Sequence, residues 1–275
     1  MKKIIVITGA AGGVGSLLAK GLAKKGHHIV CVGRSEAGVK KLADTINANI
    51  KEGSASIALA DMSEPKQVDE CAKTISKEFD GFDVWINNVG VNNHNAIGPS
   101  WELEPQNWWT EVNLNLYTAY LGTRAAISCM KDKNKGYIIN LGGGGVQEPK
   151  PFGSAYGAAK SAIVKFTETV SIELAQEKIN IKAFSFNPGF IKNDRTEILV
   201  ESKVCKKYMP KLEAVLKYGV MSNAQDSVDL INTIISGSAD ALAGKYFFAD
   251  DKNIEEAIAN SKAFVREEKN LLRVK

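Results

Sequence analysis

Short apolar runs alternate with longer segments of helical periodicity along most of the chain. Ile4 to Ile7 is a β-branched run that breaks into TGAAGGVG, after which Leu17, Leu18 and Leu22 recur at helical spacing until Gly26. His28 to Val32 reads as the next strand, ending at Gly33, Arg34 and Ser35, and a polar helix follows to about Asn49. Strand, glycine turn, helix and strand make a βαβ unit. The alternation continues with a strand near Ser56 to Leu59, a helix from about Pro65 to Phe79, a strand at Val84 to Asn87 and one long helix from Pro105 to about Met130. A strand at Tyr137 to Leu141, a helix from about Ser154 to Gln176 and a strand at Ile181 to Phe186 follow. Beyond Pro188 the pattern loosens into a lysine-rich segment that ends at Gly219. A helix from about Ala224 to Ile235, a strand at Tyr246 to Phe248 and a charged tail complete the chain.

This pattern predicts the α/β class: a single-domain, doubly wound parallel sheet of Rossmann-like form with helices on both faces. Parallel strands need crossover connections, and those crossovers are right-handed. The domain is expected over residues 1–250 and the tail over 251–275. With 275 residues and 44% hydrophobic positions, the chain has ample material for one large core, and no linker divides it.

Charge narrows the partners. The net charge of +4 comes from 35 basic and 31 acidic residues spread without a basic block, so nucleic acid is not expected as a partner. Cys31, Cys71, Cys129 and Cys205 lack CxxC spacing and are expected to be reduced and buried. No metal site is expected. The run Ile4 to Ile7 is too short for the apolar region of a signal peptide, and no window approaches the ~18 apolar residues of a membrane span. A cytoplasmic protein is expected.

Candidate chemistry lies in two glycine-rich stretches. Gly9, Gly13 and Gly15, between a strand and a helix, let a pyrophosphate approach backbone amides at the positive end of the helix. At the end of the second strand, Gly33 stands where an acid would bind ribose hydroxyls, and the fork of donors on Arg34 suits a 2′-phosphate, so NADP(H) is the expected cofactor. The second stretch, NLGGGGVQEPKPFGSAYGAAK, carries Tyr156 and Lys160 one helical turn apart. A nearby ammonium stabilises a phenolate, which predicts a Tyr156 pKa below the usual ~10 and a role as general acid and base.

Together these residues resemble the short-chain dehydrogenases and reductases, over roughly residues 3 to 192 and more loosely to 250. TGAAGGVG is similar to the family's TGxxxGxG, NNVG at Asn87 to Gly90 to its NNAG, and Tyr156 with Lys160 to its YxxxK. The resemblance implies hydride transfer between a nicotinamide and a carbonyl or secondary alcohol. It makes Tyr156, Lys160 and Asn115 catalytic, with Asn115 preferred to Asn113 by counting back from Thr123 and Arg124. It assigns cofactor binding to Thr8, Gly9, Gly13, Val14 and Gly15 in the turn, and to Arg34, Ser35, Asp61 and Met62 around the adenosine. Asn88, Gly90, Tyr156, Lys160, Pro188, Gly189 and Ile191 are assigned to the nicotinamide end.

One position departs from the pattern. Counting thirteen residues back from Tyr156, where the family usually has a serine that donates to the substrate oxygen, lands on Gly143. Losing such a donor can cost ~10² to 10³ in rate, so Gly143→Ser is expected to restore turnover. The alternative is an NADP(H)-binding regulator with little turnover. Phe190 to Gly219 matches the family's substrate lid and sets Ile198, Leu199, Val204 and Met209 beside Lys203, Lys206, Lys207 and Lys211, which suits a hydrophobic ketone or an acidic carrier with its acyl chain. Trp101, Trp108 and Trp109 are expected to be packing residues rather than substrate contacts, with Trp101 the one that could reach the site. The helices from Pro105 and Ser154 carry Tyr117, Tyr120, Leu121, Ile163, Phe166 and Val170, more apolar surface than one sheet face needs, which predicts a homodimer or homotetramer.

Overall fold

Strands that are apolar at nearly every position are buried on both faces, and β1 (Ile4–Thr8), β4 (Val84–Asn87) and β5 (Gly136–Leu141) are of this kind. In the computed structural model, which describes residues 1–250 and 253–273, they form the centre of a seven-stranded sheet. β2 (His28–Gly33) and β3 (Ser54–Leu59) lie on one side of them, and β6 (Ile181–Asn187) and β7 (Tyr246–Phe248) on the other, in the order β3-β2-β1-β4-β5-β6-β7. All neighbouring strands are parallel, with Ile5 opposite Ile29 on one side and Val84 on the other.

Alternate residues of each strand feed separate cores. Ile5 and Ile7 meet Leu18 and Leu22 of α1 (Gly13–Lys24), residues of α2 (Glu36–Asn49), and Ile231 and Ile234 of α10 (Ala224–Ile235). Val6 and Trp85 point the opposite way, toward Ile75 of α3 (Pro65–Glu78), Leu121 of α5 (Thr118–Met130) and Leu174 of α6 (Ser154–Gln176). The chain leaves β1 toward β2 and returns to its other side as β4. That reversal opens a crevice beyond the carboxyl ends of the strands, where ligands bind in sheets of this kind.

Three expectations change. The long helix from Pro105 is α4 (Pro105–Val112) and α5 separated by a π-helical turn at Asn113–Tyr117. Residues 190–219 hold three short helices, α7 (Asp194–Glu201), α8 (Lys203–Tyr208) and α9 (Pro210–Tyr218), around an apolar cluster of Ile97, Leu199, Val200 and Cys205. The segment expected as a charged tail forms α11 (Ile254–Ala259) and α12 (Ser261–Arg266), with Ala257 and Phe264 buried; its residues 251–252 and 274–275 lie outside the described residues. Arg273 pairs with Glu168 of α6 at 2.6 Å, and the Tyr246 N–H donates to the Asn270 carbonyl at 2.9 Å.

The four cysteines are free thiols. Three are buried as expected, but Cys129, on a helix face near the surface, is only half-buried. No helix among the described residues is long and apolar enough to cross a membrane.

Candidate active site

The glycine turn after β1 is held from below. Thr8 is buried, and its hydroxyl donates to the Ile86 carbonyl at 3.2 Å while accepting from the Asn88 N–H at 3.1 Å. The Asn88 amide in turn donates to the carbonyls of Thr8 (2.9 Å) and Gly9 (3.1 Å), so the expected cofactor residue Thr8 ties β1 to β4 and does not reach the groove above. Gly9 turns the chain at φ +62°, and a Cβ on Gly15 would stand 2.6 Å from the Gly9 carbonyl. Gly12 caps α1 without a side-chain hydrogen bond, and the first turn holds no acidic residue. The first amides of α1 therefore face the groove unsatisfied, a ready site for an anion.

That groove, of about 610 Å³, is lined by Gly9, Gly13, Arg34, Ser35, Asp61, Met62, Asn88 and Gly90. Arg34 is 72% exposed and touches the Asp61 carboxylate at 3.4 Å, while the Ser35 hydroxyl caps α2 by accepting from the Gly38 N–H at 3.2 Å. Burial works against ionisation of Asp61, but hydrogen bonds from Ser63 and the Arg34 guanidinium outweigh it and hold the carboxyl below its ordinary pKa. A cradle of bare amides with an exposed cation at its rim fits a dinucleotide.

A second groove continues from the first and gathers Val14, Gly15, Asn115, Tyr156, Lys160, Pro188, Gly189 and Ile191. Asn115 is fully buried inside the π-helical turn, where such distortions often serve function. Its amide donates to the carbonyls of Val91 (2.8 Å) and Glu111 (2.9 Å), and its Oδ1 accepts from the Val91 N–H (3.3 Å). Lys160 is buried, donates to the Leu141 carbonyl at 3.0 Å and sits 5.6 Å from the centre of the Tyr156 ring. A Cβ at Gly90 would lie 2.8 Å from Asn115 Oδ1 and 3.4 Å from Lys160 Nζ, so the two side chains converge there. Asn87, the first residue of NNVG, faces away from the groove. It accepts from the Trp85 indole (2.8 Å) and donates to Asn140 Oδ1 (2.8 Å), locking β4 to β5 beneath the site.

The electrostatics reverse one expectation. Burial, with the nearby Glu111 carboxylate, pushes the Tyr156 pKa up to about 12, and burial brings Lys160 down to about 8. Desolvation disfavours the charged form of each group. Tyr156 is therefore a neutral phenol at pH 7.

Glu111 is the site residue the sequence reading missed. It is 1% exposed, accepts from the Asn93 N–H at 2.8 Å, and burial pushes its pKa up to about 7. Its position four residues before Asn115, on the same helix face, was the available signal. Asn193 and Arg195 of the lid were also missed. The Asn193 side chain occupies the space a Cβ on Gly13 would need, and Arg195 donates to the Gly90 carbonyl at 3.3 Å.

Gly143 is not a vacancy. A Cβ there would collide with the Tyr156 hydroxyl and lie 3.1 Å from its ring, and a Cβ at Gly142 would lie 2.7 Å from the ring of Tyr246. Tyr246 is buried and its hydroxyl donates to the Gly143 carbonyl at 3.3 Å. Serine at 143 would therefore displace Tyr156 before it could restore a donor, contrary to expectation. Ser154 is engaged elsewhere, accepting from the Trp108 indole at 3.0 Å. Trp108 packs as expected, whereas Trp101, in the turn before α4, is 84% exposed and Trp109, within α4, is 59% exposed.

Residues 3–203 match the family described as short chain dehydrogenase. A diacetyl reductase, (S)-acetoin forming, from Staphylococcus epidermidis is 30% identical over 261 residues, spanning 91% of this chain and 98% of the relative. A D-beta-hydroxybutyrate dehydrogenase from Cupriavidus necator is 30% identical over 216 residues, spanning 77% of this chain and 80% of its own. Among solved structures, levodione reductase superposes with a TM-score of 0.81 at 19% identity, over 92% of this chain and 98% of that one. A variant of actinorhodin polyketide ketoreductase with NADPH gives 0.77 at 20% identity, over 90% and 95%. Both structural likenesses show the fold.

Proposed function

The chain belongs to the short-chain dehydrogenase/reductase family of oxidoreductases, and from that premise we propose that it is an NADP(H)-dependent reductase or dehydrogenase acting on a carbonyl or secondary alcohol, with Tyr156 as general acid and base. The observation that carries this reading is the convergence of Tyr156, Lys160 and Asn115 where the groove from the glycine turn ends. Bound there, the nicotinamide would supply the hydride. The α1 amides would hold its pyrophosphate, Arg34 the 2′-phosphate, and Pro188, Gly189 and Ile191 the far end of the dinucleotide.

Tyr156 Oη would give its proton to the substrate oxygen as negative charge develops there, a downhill transfer because an alkoxide is more basic than a phenolate of pKa about 12. A tyrosine neutral at pH 7 favours carbonyl reduction. Lys160 Nζ, held by the Leu141 carbonyl, and Asn115 would fix the proton path behind it. The two relatives are named for small oxo or hydroxy compounds, which supports a substrate of that size.

Residues 190–219 act as the substrate lid in this reading. The exposed Tyr117 and Tyr120 on the α5–α6 face support a homodimer or homotetramer, although Leu121, Ile163 and Val170 are buried within the subunit and add nothing to such a face. A cytoplasmic setting accords with the free cysteines.

NADPH oxidation across ketones, aldehydes and quinones tests the reading. Tyr156→Phe should lower turnover ~10² to 10⁴-fold while NADPH still binds. Arg34→Ala should weaken NADPH roughly tenfold and spare NADH. Equal losses for both cofactors would sink the NADP(H) assignment, and NADPH binding without turnover of any carbonyl would establish the regulator instead.

A further inference from the structure

Lys150 lies in the loop between β5 and α6, and its surroundings differ from those of a surface lysine. Its Cβ approaches Gly145 and Gly157, and its Cδ and Cε lie 3.0 to 3.1 Å from where a Cβ on Gly153 would be. The lid's Met209 closes on the same spot at 3.0 Å. Small residues thus form a bed for the stem. The ammonium sits 5.3 Å from the centre of the Tyr156 ring and passes over Gly144.

Among the described residues, no hydrogen-bond acceptor or carboxylate pairs with this ammonium. Two lysines of residues 190–219 have carboxylate partners, Lys206 with Glu201 and Lys217 with Glu213. Lys160, the other cation beside Tyr156, has the Leu141 carbonyl. Glu111 acts on both lysines through space, but it forms no ion pair with either and its Oε2 is taken by the Asn93 N–H. Lys150 is half-buried with no carboxylate or carbonyl partner for its three donors, so an anion reaching it would gain charge-assisted hydrogen bonds. Burial accordingly depresses its pKa below the ordinary lysine value.

We propose that Lys150 receives a carboxylate carried by the substrate a few bonds from the reacting carbonyl, so that the site takes oxo acids, or the matching hydroxy acids, in preference to neutral ketones. This rests on Tyr156 being the proton donor, since only then does the space beside its ring hold the substrate. The ammonium would orient the carbonyl toward Tyr156 and leave the apolar lid cluster to cover the remainder.

The test compares pyruvate, acetoacetate and 4-oxopentanoate with their methyl esters, using full-length protein and NADPH. The ratio of kcat/KM for acid over ester should exceed one for at least one chain length. It should fall roughly 10- to 100-fold in Lys150→Met and recover in Lys150→Arg. A wild-type enzyme that prefers the esters, or a ratio unchanged in Lys150→Met, would overturn the proposal while leaving the reductase intact. Calorimetric binding of the matching hydroxy acids to the NADP⁺-loaded protein separates the two claims. Binding that is lost in Lys150→Met, with no turnover of any compound, would keep the anion site and remove the reductase reading. Absence of that binding in a protein that reduces esters would do the reverse.

Discussion

Two glycine-rich loops meet at the carboxyl edge of the sheet, and they use glycine for opposite ends. In the turn after β1, a Cβ on Gly15 would strike the Gly9 carbonyl and the Asn88 amide, each at 2.6 Å, and a Cβ on Gly13 would strike the Asn193 side chain, so the bare glycines let the turn close tightly beside a groove that Gly9, Gly12 and Gly13 line. In the run after β5, a Cβ at 142 or 143 would strike the rings of Tyr246 and Tyr156, so the protein's own side chains occupy the space. The first loop packs tightly so that its backbone borders the ligand groove; the second keeps room for the catalytic candidate. A missing side chain is therefore no evidence of a missing function until its neighbours are known.

Substituting each loop breaks the comparison where it is strongest. Gly15→Ala meets immovable backbone, so NADPH affinity should drop ~10²-fold or more, with about 1–3 kcal/mol lost in stability, read by calorimetry and urea titration. Gly143→Ser meets the Tyr156 ring, which can swing away, so turnover should fall roughly 10²-fold with cofactor affinity within a factor of about two. If Gly143→Ser raised turnover, the space would be a vacancy after all and the contrast between the loops would collapse.

The same contrast governs how much could be read in advance. The β/α alternation and the parallel sheet were legible because apolar runs and helical periods repeat without interruption up to Asn187. Tyr156 and Lys160 were placed by their spacing together with the family resemblance and Asn115 by the resemblance, and the structure brings all three to one groove. What failed depended on neighbours distant in sequence. The Cβ space at Gly143 is taken by Tyr156 and its carbonyl is held by Tyr246, 103 residues away, and the Tyr156 pKa is set by burial and Glu111. The π-helical turn was hidden because NLNLY reads as ordinary helix, and the folded tail because Ala257 and Phe264 are sparse among charges.

Carboxyls beside the two loops sharpen the comparison through pH. Asp61, at the open groove, is held below its ordinary pKa, whereas Glu111, in the dry interior behind the second loop, is raised from 4.5 to about 7 by burial, partly offset by the Asn93 N–H and by Lys160 and Lys150. Because the fold holds the Glu111 proton more tightly than the unfolded chain does, its contribution is full below pH 4.5 and is lost as pH rises through 7, on the order of 3 kcal/mol in all. Glu111→Gln keeps an acceptor for Asn93 and removes the titration. Its stability relative to wild type should rise between pH 5 and pH 8 in urea unfolding. Parallel profiles for the two proteins would show that Glu111 titrates normally.

Tyr246 gives the smallest effect and separates filling the second loop from hydrogen-bonding it. Tyr246→Phe keeps the ring that makes a Cβ at Gly142 impossible and removes only the 3.3 Å bond to the Gly143 carbonyl. One buried hydrogen bond contributes ~1 kcal/mol, which for a chain of this size should lower Tm by about 2–4 °C. Since the ring still supports the loop, Tyr156 should keep its place and kcat should stay within about fivefold of wild type. A loss approaching that of Gly143→Ser, at unchanged NADPH affinity, would mean that the hydroxyl and not the ring positions Tyr156. The second loop would then be fixed by a hydrogen bond, as Asn88 fixes the first, and not by packing.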